Sequence, residues 1–189
     1  MDHVSRFIGE AILDMANHGI TVRMPHETKV TYNELKCNGF FDSDEFVCAV
    51  DKPVKQWLQI FLHEYCHFLQ YKENKKKWLS TGARLLFDKQ LYSDEIIEHC
   101  KKIQSEEIDC EKRAVALIKA YKLGFDLEKY IQAANAYIYF FETIPITRQW
   151  YKKPPYEVRR ILEVVPYQFK ADYSKMPEGY LKLVKKYCL

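Results

Sequence analysis

The sequence predicts an α+β protein in which a small antiparallel sheet packs on a central apolar helix and the C-terminal half is mainly helical. Three observations support this class. Residues 20–51 form short extended segments separated by turn residues, residues 53–71 are apolar nearly all round, and long stretches beyond residue 93 have helical periodicity. With 189 residues the chain can bury a sizeable core, and we expect a single domain over 1–189.

Composition excludes several broad classes of function. The formal net charge is only +3, which predicts no strong general attraction to nucleic acid or to a membrane surface. The lysine-rich run 72–77 is interpreted as a solvated helix end, with an acidic partner or nucleic acid as the alternative. We expect no membrane segment and no secretory leader after Met1. Six cysteines without CxxC spacing indicate free thiols in a reducing cytoplasm.

The N-terminal part is predicted to be a helix followed by the sheet. Residues 3–17 place apolar side chains at helical spacing, and His18-Gly19 supplies the stop. Segments 20–24, 29–37 and 45–51 are extended, with turns expected at Asn38-Gly39 and at residues 42–44. Pro53 then begins the next helix, because proline is favoured in the first turn.

The helix predicted over 53–71 contains the pattern HExxH. His63 and His67 are four residues apart and therefore share one face, close enough to bind a single metal ion. Two stacked histidines beside Glu64 inside an apolar helix are costly unless something pairs them. Zinc held by two imidazoles and a third ligand activates water, and a neighbouring carboxylate takes its proton. Because HExxH fixes only three positions and also arises by chance, a third ligand is required.

The third ligand is expected on the long helix predicted from Ser93 to Leu123. Alternating steps of four and three define an inward seam of Ile96, Cys100, Ile103, Glu107, Cys110, Ala114, Leu117 and Tyr121. Glu107 alone is charged, and a carboxylate facing a core must be paired or must bind a metal. The alternative is an ion pair with Arg84 or Arg113. Glu106 is the fallback ligand if the helix phase is off by one, and Glu111 is a reasonable hydrogen-bond partner for His63 or His67.

The remaining segments suggest no chemistry of their own. A loop is expected at residues 80–82 and a short helix at 83–91. An aromatic-rich helix is predicted over 127–144, closed by Pro145, and two short amphipathic helices follow over 156–165 and 177–188. The expected domain thus comprises an N-terminal helix and small sheet (1–52), metal-binding helices (53–123) and a helical C-terminal part (124–189).

With His63, Glu64, His67 and Glu107 identified, the chain resembles the gluzincin class of zinc metallopeptidases, in which a glutamate on a later helix follows HExxH. Residues 107–114 are similar to the E-x-E-A-[DN]-x-F-A pattern of ImmA/IrrE-type peptidases, with Asp109, Cys110, Glu111 and Arg113 at the positions that differ. The spacing of Glu107 and Glu111 is also similar to the ExxxD motif of thermolysin-like enzymes. The resemblance covers roughly residues 45 to 122, and such small proteins occur in bacteria and their phages.

The resemblance implies a zinc-dependent endopeptidase that acts on a peptide or protein substrate in the cytoplasm, or in the host cytoplasm if the chain is phage-encoded. It assigns His63, His67 and Glu107 to Zn²⁺ and Glu64 to general-base catalysis. It further implies that segment 45–51 is an edge strand to which an extended substrate adds. Donors considered for the oxyanion are Tyr137, Tyr139, Tyr151, Tyr156 and His99. The alternative is a non-catalytic metal-containing binding protein.

Overall fold

The fold was analysed in a computed structural model, which describes residues 2–79 and 95–189. The helices and small sheets confirm the predicted α+β class. The loop predicted at 80–82, the short helix at 83–91, the helix start at Ser93 and the residue Arg84 lie outside the described residues. In the described part of the chain, no helix is both long enough and apolar enough to cross a bilayer.

The chain is organised in two compact units. The first contains the N-terminal residues through 80 together with residues 112–125, and the second contains residues 81–111 together with 126–189. The long helix α4 (Glu95–Tyr121) therefore contributes to both. A single domain over 1–189 stays a prediction.

The first unit begins with α1 (His3–Asn17), whose predicted bounds are confirmed. Asp2 caps its N-terminus by accepting a hydrogen bond from the Ser5 amide. Two further helices of this unit, α2 (Val54–Glu73) and α3 (Lys75–Leu79), follow the strands, and α3 contains three lysines of the basic run. Phe7 of α1 packs edge-on against Phe61 and Tyr65 of α2, with ring centroids 6.0 and 5.8 Å apart.

The strands differ in detail from the prediction. A hairpin pairs β2 (Val30–Tyr32) with β3 (Leu35–Cys37), and a separate sheet has the order β1 (Thr21–Arg23), β5 (Glu45–Cys48), β4 (Gly39–Phe41). Segment 29–37 is therefore not one strand. Asn33 and Glu34 both have positive φ (46° and 69°), which forms the tight turn between β2 and β3.

The expectation that segment 45–51 provides an edge strand was wrong. Strand β5 pairs in parallel with β1 on one side and antiparallel with β4 on the other, so its backbone is used on both sides. The sheet is consequently mixed, and β1 and β4 lie at its edges. The turn predicted at Asn38-Gly39 also differs from the structure, because Gly39 is the first residue of strand β4.

The second unit has its own core, formed by the N-terminal half of α4, by α5 (Leu127–Thr147) and by the segments after it. Pro145 was predicted to end α5, but the helix continues to Thr147. The amide hydrogen that proline lacks costs one bond in the last turn, and Arg148, in the left-handed conformation, then caps the helix by donating its N–H to the Ile144 carbonyl at 2.8 Å.

The predicted helix over 156–165 is shorter than expected. A 3₁₀ turn (Pro155–Glu157) and α6 (Arg159–Leu162) are separated by Val158, whose extended backbone interrupts the helix. The last helix, α7, spans Tyr180–Tyr187. Asn135, fully buried on α5, donates hydrogen bonds to the carbonyls of Pro166 and Gln168, which anchors the loop before α7.

Candidate metal centre

Helix α2 buries one set of apolar side chains, which are Leu58, Phe61, Leu62, Tyr65, Cys66 and Phe68. Phe61 meets Phe46 of β5 with ring centroids 4.9 Å apart, and Phe68 meets Phe41 of β4 at 5.8 Å. These edge-on aromatic contacts fix the rotation of the helix against the sheet. His63, Glu64 and His67 then lie on a half-buried face.

The two histidines converge as their spacing predicts. Their Nε2 atoms are 3.1 Å apart, and their rings are nearly perpendicular, with centroids 4.6 Å apart. The Nδ1 atom of His67 lies 2.9 Å from Oε1 of Gln70, one turn further along α2. Because that oxygen only accepts, Nδ1 of His67 carries the proton, and Nε2 presents its lone pair toward His63.

Gln70 is a hydrogen-bond partner of His67 that the sequence did not indicate. A histidine that binds a metal through Nε2 commonly donates Nδ1–H to an oxygen that holds its ring orientation. At His67 this oxygen belongs to Gln70. Sequence reasoning missed Gln70, although its position three residues after His67 places it on the same helix face. A pairing of Glu111 with His63 or His67 stays a prediction.

Glu64 lies on the side of α2 that faces the strands. Its charge contributes to the raised pKa of two thiols, Cys37 and Cys48, although burial of each thiol is the larger cause. Burial raises the pKa of Cys37 to about 11 and that of Cys48 to about 12. Glu64 itself is half-buried and directly follows His63 in the chain.

Helix α4 contributes two buried donors. Glu107 is 7% exposed and Cys110 is fully buried, and their separation of three residues places them on one face. The predicted burial of Glu107 is confirmed. Arg113, considered as an ion-pair partner for Glu107, forms a two-pronged bridge to Glu73 at the end of α2, with N···O distances of 2.6 and 2.7 Å.

The structure brings the predicted ligands together and adds one. His63, His67, Glu107 and Cys110 each offer one ligand atom, and these four atoms all lie within 4.8 Å of one another. This group of two half-buried imidazoles, a buried carboxylate and a buried thiol could hold a metal ion. Metal coordination by these residues stays a prediction.

The donor set fits zinc. Bonds of about 2.0–2.3 Å in a tetrahedral site place donor atoms roughly 3.3–3.8 Å apart. The two Nε2 atoms, 3.1 Å apart, are already near this separation. The largest distance allowed within the group, 4.8 Å, exceeds it by about one ångström, and small side-chain rotations can close that difference. Nitrogen and sulfur donors suit transition-metal ions, zinc among them, better than the oxygen-preferring ions Mg²⁺ and Ca²⁺.

One of the hydroxyls considered for the oxyanion, that of Tyr151, lies close enough to Glu107 for the carboxylate charge to act on it. The pKa of Tyr151 is raised chiefly by burial, with contributions from its hydrogen bond to Tyr156 and from the charge of Glu107. The ring of Tyr156 also contacts that of Tyr137, with centroids 6.3 Å apart. Tyr139 is placed differently, because it is buried against Tyr173 and Tyr180.

His99, the last of these candidates, is half-buried on α4. Its Nε2 atom is enclosed and makes no hydrogen bond to the described residues. Its position gives no support to a role with the oxyanion.

Cys110 is the second residue that sequence reasoning missed. Its burial was predicted, but it was interpreted only as a core thiol. The available signal was its spacing, because it follows the predicted ligand Glu107 by three residues on the same helix. Glu106 is only half-buried and is not a member of the donor group, so the alternative helix phase is not supported.

Comparisons with known proteins identify no relative, so the site is interpreted from the chemistry of its residues. No protein-family model, no curated protein and no solved structure matches the chain. The resemblance to gluzincins therefore rests on the motif residues alone.

Proposed function

We propose that the protein is a zinc-dependent endopeptidase of gluzincin type. The observation that carries the proposal is the convergence of Glu107 with the HExxH histidines, because a chance HExxH would not be accompanied by a buried carboxylate from a second helix. In this proposal His63, His67 and Glu107 hold the zinc ion. Its substrate is a peptide or protein segment.

A bound zinc ion supplies Lewis acidity, which polarises a substrate carbonyl and makes water a better nucleophile at neutral pH. Glu64 accepts a proton from the water while the water oxygen forms a bond to the substrate carbonyl carbon. Glu64 then donates that proton to the leaving amine as the C–N bond breaks. The hydrogen bond from His67 to Gln70 keeps the lone pair of Nε2 available. Glu64 is half-buried and directly follows His63, so in this proposal its carboxylate acts on a water bound beside the histidines.

The test uses Glu64→Gln, which keeps the shape of the side chain but removes the base. Wild-type protein loaded with zinc is incubated with denatured protein substrates, and new amino termini are counted by mass spectrometry. We expect Glu64→Gln to retain stoichiometric zinc and to lose cleavage by a factor of roughly 10²–10⁴. His63→Ala is the control that loses both metal and cleavage. Equal cleavage by Glu64→Gln and wild type would refute the proposed role of Glu64.

A second candidate function is supported by Cys110. Catalytic zinc sites use three protein ligands and keep a position for water, whereas structural sites are closed by four. A fourth protein donor within the group favours a non-catalytic protein that keeps a metal for stability or for binding a partner. Stoichiometric zinc without any cleavage by the wild type would select this function over the first.

A further inference from the structure

We propose that the thiolate of Cys110 is a fourth protein ligand to the metal held by His63, His67 and Glu107. The inference rests on the metal site of the proposed function, but it does not depend on catalysis. It extends the three-ligand site predicted from the motif, and it assigns a chemical role to a residue that otherwise resembles the other core thiols.

Cys110 offers one of the four ligand atoms of the candidate metal site. Its Sγ belongs to the group of atoms that lie within 4.8 Å of one another. The other five cysteines are free thiols that do not belong to this group. Cys100 offers the direct comparison, because it is also buried on α4 but precedes Cys110 by ten residues, or about 15 Å of helix.

Glu107, Cys110 and Arg113 all lie on the single continuous helix α4. The bridge between Arg113 and Glu73 joins α4 to the end of α2 within the first unit. Cys110 precedes Arg113 by one turn, and His67 precedes Glu73 by six residues. Cys110 follows Glu107 by about one turn of α4, so both donors lie on one face of the same helix.

Ligand chemistry supports the same assignment. A thiolate is the softest donor available in proteins and favours zinc and cobalt over Mg²⁺ or Ca²⁺. On binding, the S–H bond of Cys110 breaks, the proton leaves to solvent and sulfur donates its electron pair to the metal. A site of two histidines, one glutamate and one cysteine is then closed at rest. Water or substrate would then bind by displacing one of these ligands or by raising the coordination number to five.

Cobalt(II) substitution tests the assignment without reference to activity. Metal-free wild type is titrated with Co²⁺ under reducing conditions, and the absorption spectrum is recorded. We expect visible d–d bands together with a near-ultraviolet sulfur-to-cobalt charge-transfer band that saturates at one equivalent. Cys110→Ser should keep the visible bands and lose the charge-transfer band. Cys100→Ser, the matched control on the same helix, should keep both.

Either of two spectra would overturn the assignment: d–d bands without the charge-transfer band in wild type, or a charge-transfer band that persists in Cys110→Ser. Failure to bind Co²⁺ at all would also overturn it. Circular dichroism identifies a variant that fails to fold, and Cys110→Ala then provides a second substitution. A charge-transfer band in a protein without peptidase activity would support the role of Cys110 while refuting the proposed peptidase.

Discussion

At the scale of single residues, the orientation of the histidine pair depends on Gln70. Neutral imidazole has one donor and one acceptor nitrogen, and the partner of one nitrogen decides what the other does. The oxygen of Gln70 lies 2.9 Å from Nδ1 of His67, so the lone pair of Nε2 faces the donor group. Without this partner, His67 would populate both tautomers and additional ring rotamers.

We therefore predict that Gln70→Ala weakens zinc binding by roughly 10- to 100-fold, because removing a hydrogen-bond partner of a metal-binding histidine has effects of this size. The measurement is competition with a chromophoric chelator. Gln70→Glu should bind at least as well as wild type, since its carboxylate also accepts the Nδ1–H bond. Gln56→Ala, at an exposed position of the same helix, is the control. Unchanged affinity in Gln70→Ala would contradict the role of Gln70.

At the scale of elements, the position of α2 depends on its close approach to β4. A Cβ atom built on Gly39 would lie 2.8 Å from Cγ2 of Ile60 and 2.8 Å from the carbonyl oxygen of Val47. The second of these atoms belongs to the backbone of β5 and could move aside only at a large energetic cost. Glycine at this position thus allows the HExxH helix to pack directly on the sheet.

Gly39→Ala is predicted to destabilise the protein by about 1–3 kcal/mol, the usual cost of overpacking. The matched control is Gly9→Ala in the middle of α1, where a Cβ atom would meet nothing within 4 Å. That control should stabilise the protein by about 0.5–1 kcal/mol, because alanine is the better helix former. Urea unfolding measures both. If the two substitutions shifted stability in the same direction, the close approach at Gly39 would not matter.

At the scale of the whole molecule, thiols are buried in both units. Burial raises the pKa of Cys48 to about 12 in the first unit, and raises those of Cys100 and Cys188 to about 11 in the second. The ordinary value for a thiol is 9.0. Between these values the unfolded chain releases protons that the folded chain retains. The folded state is therefore disfavoured as pH rises.

We predict that the free energy of unfolding falls progressively from about pH 9 to about pH 11, with each of these three thiols contributing a slope of at most about 1.4 kcal/mol per pH unit. The sign follows because the native state binds more protons than the unfolded state in this range. Urea unfolding under reducing conditions at a series of pH values measures the slope. Cys48→Ala should flatten it whatever its effect at neutral pH, and a constant free energy across this range would contradict the prediction.

Local periodicity made much of this protein predictable. The bounds of α1, the apolar surroundings of the HExxH helix and the burial of Glu107 all follow from spacing along one element. The predicted seam of α4 holds through Ala114 and then drifts. Val115 and Ile118 are buried, while Leu117 and Tyr121 are only half-buried, because a seven-residue repeat falls behind an α-helix by about 20° per repeat.

Sequence alone thus determined the helices, the histidine pair and the carboxylate expected to join it, since each depends on neighbours three or four residues away. Only the tertiary structure decided that β5 is central in its sheet and that Cys110 is a member of the donor group. Strand order and the convergence of side chains depend on contacts between residues distant in the chain. Such contacts leave no period in the sequence, and a buried cysteine in a core has the same pattern as a buried cysteine beside a metal.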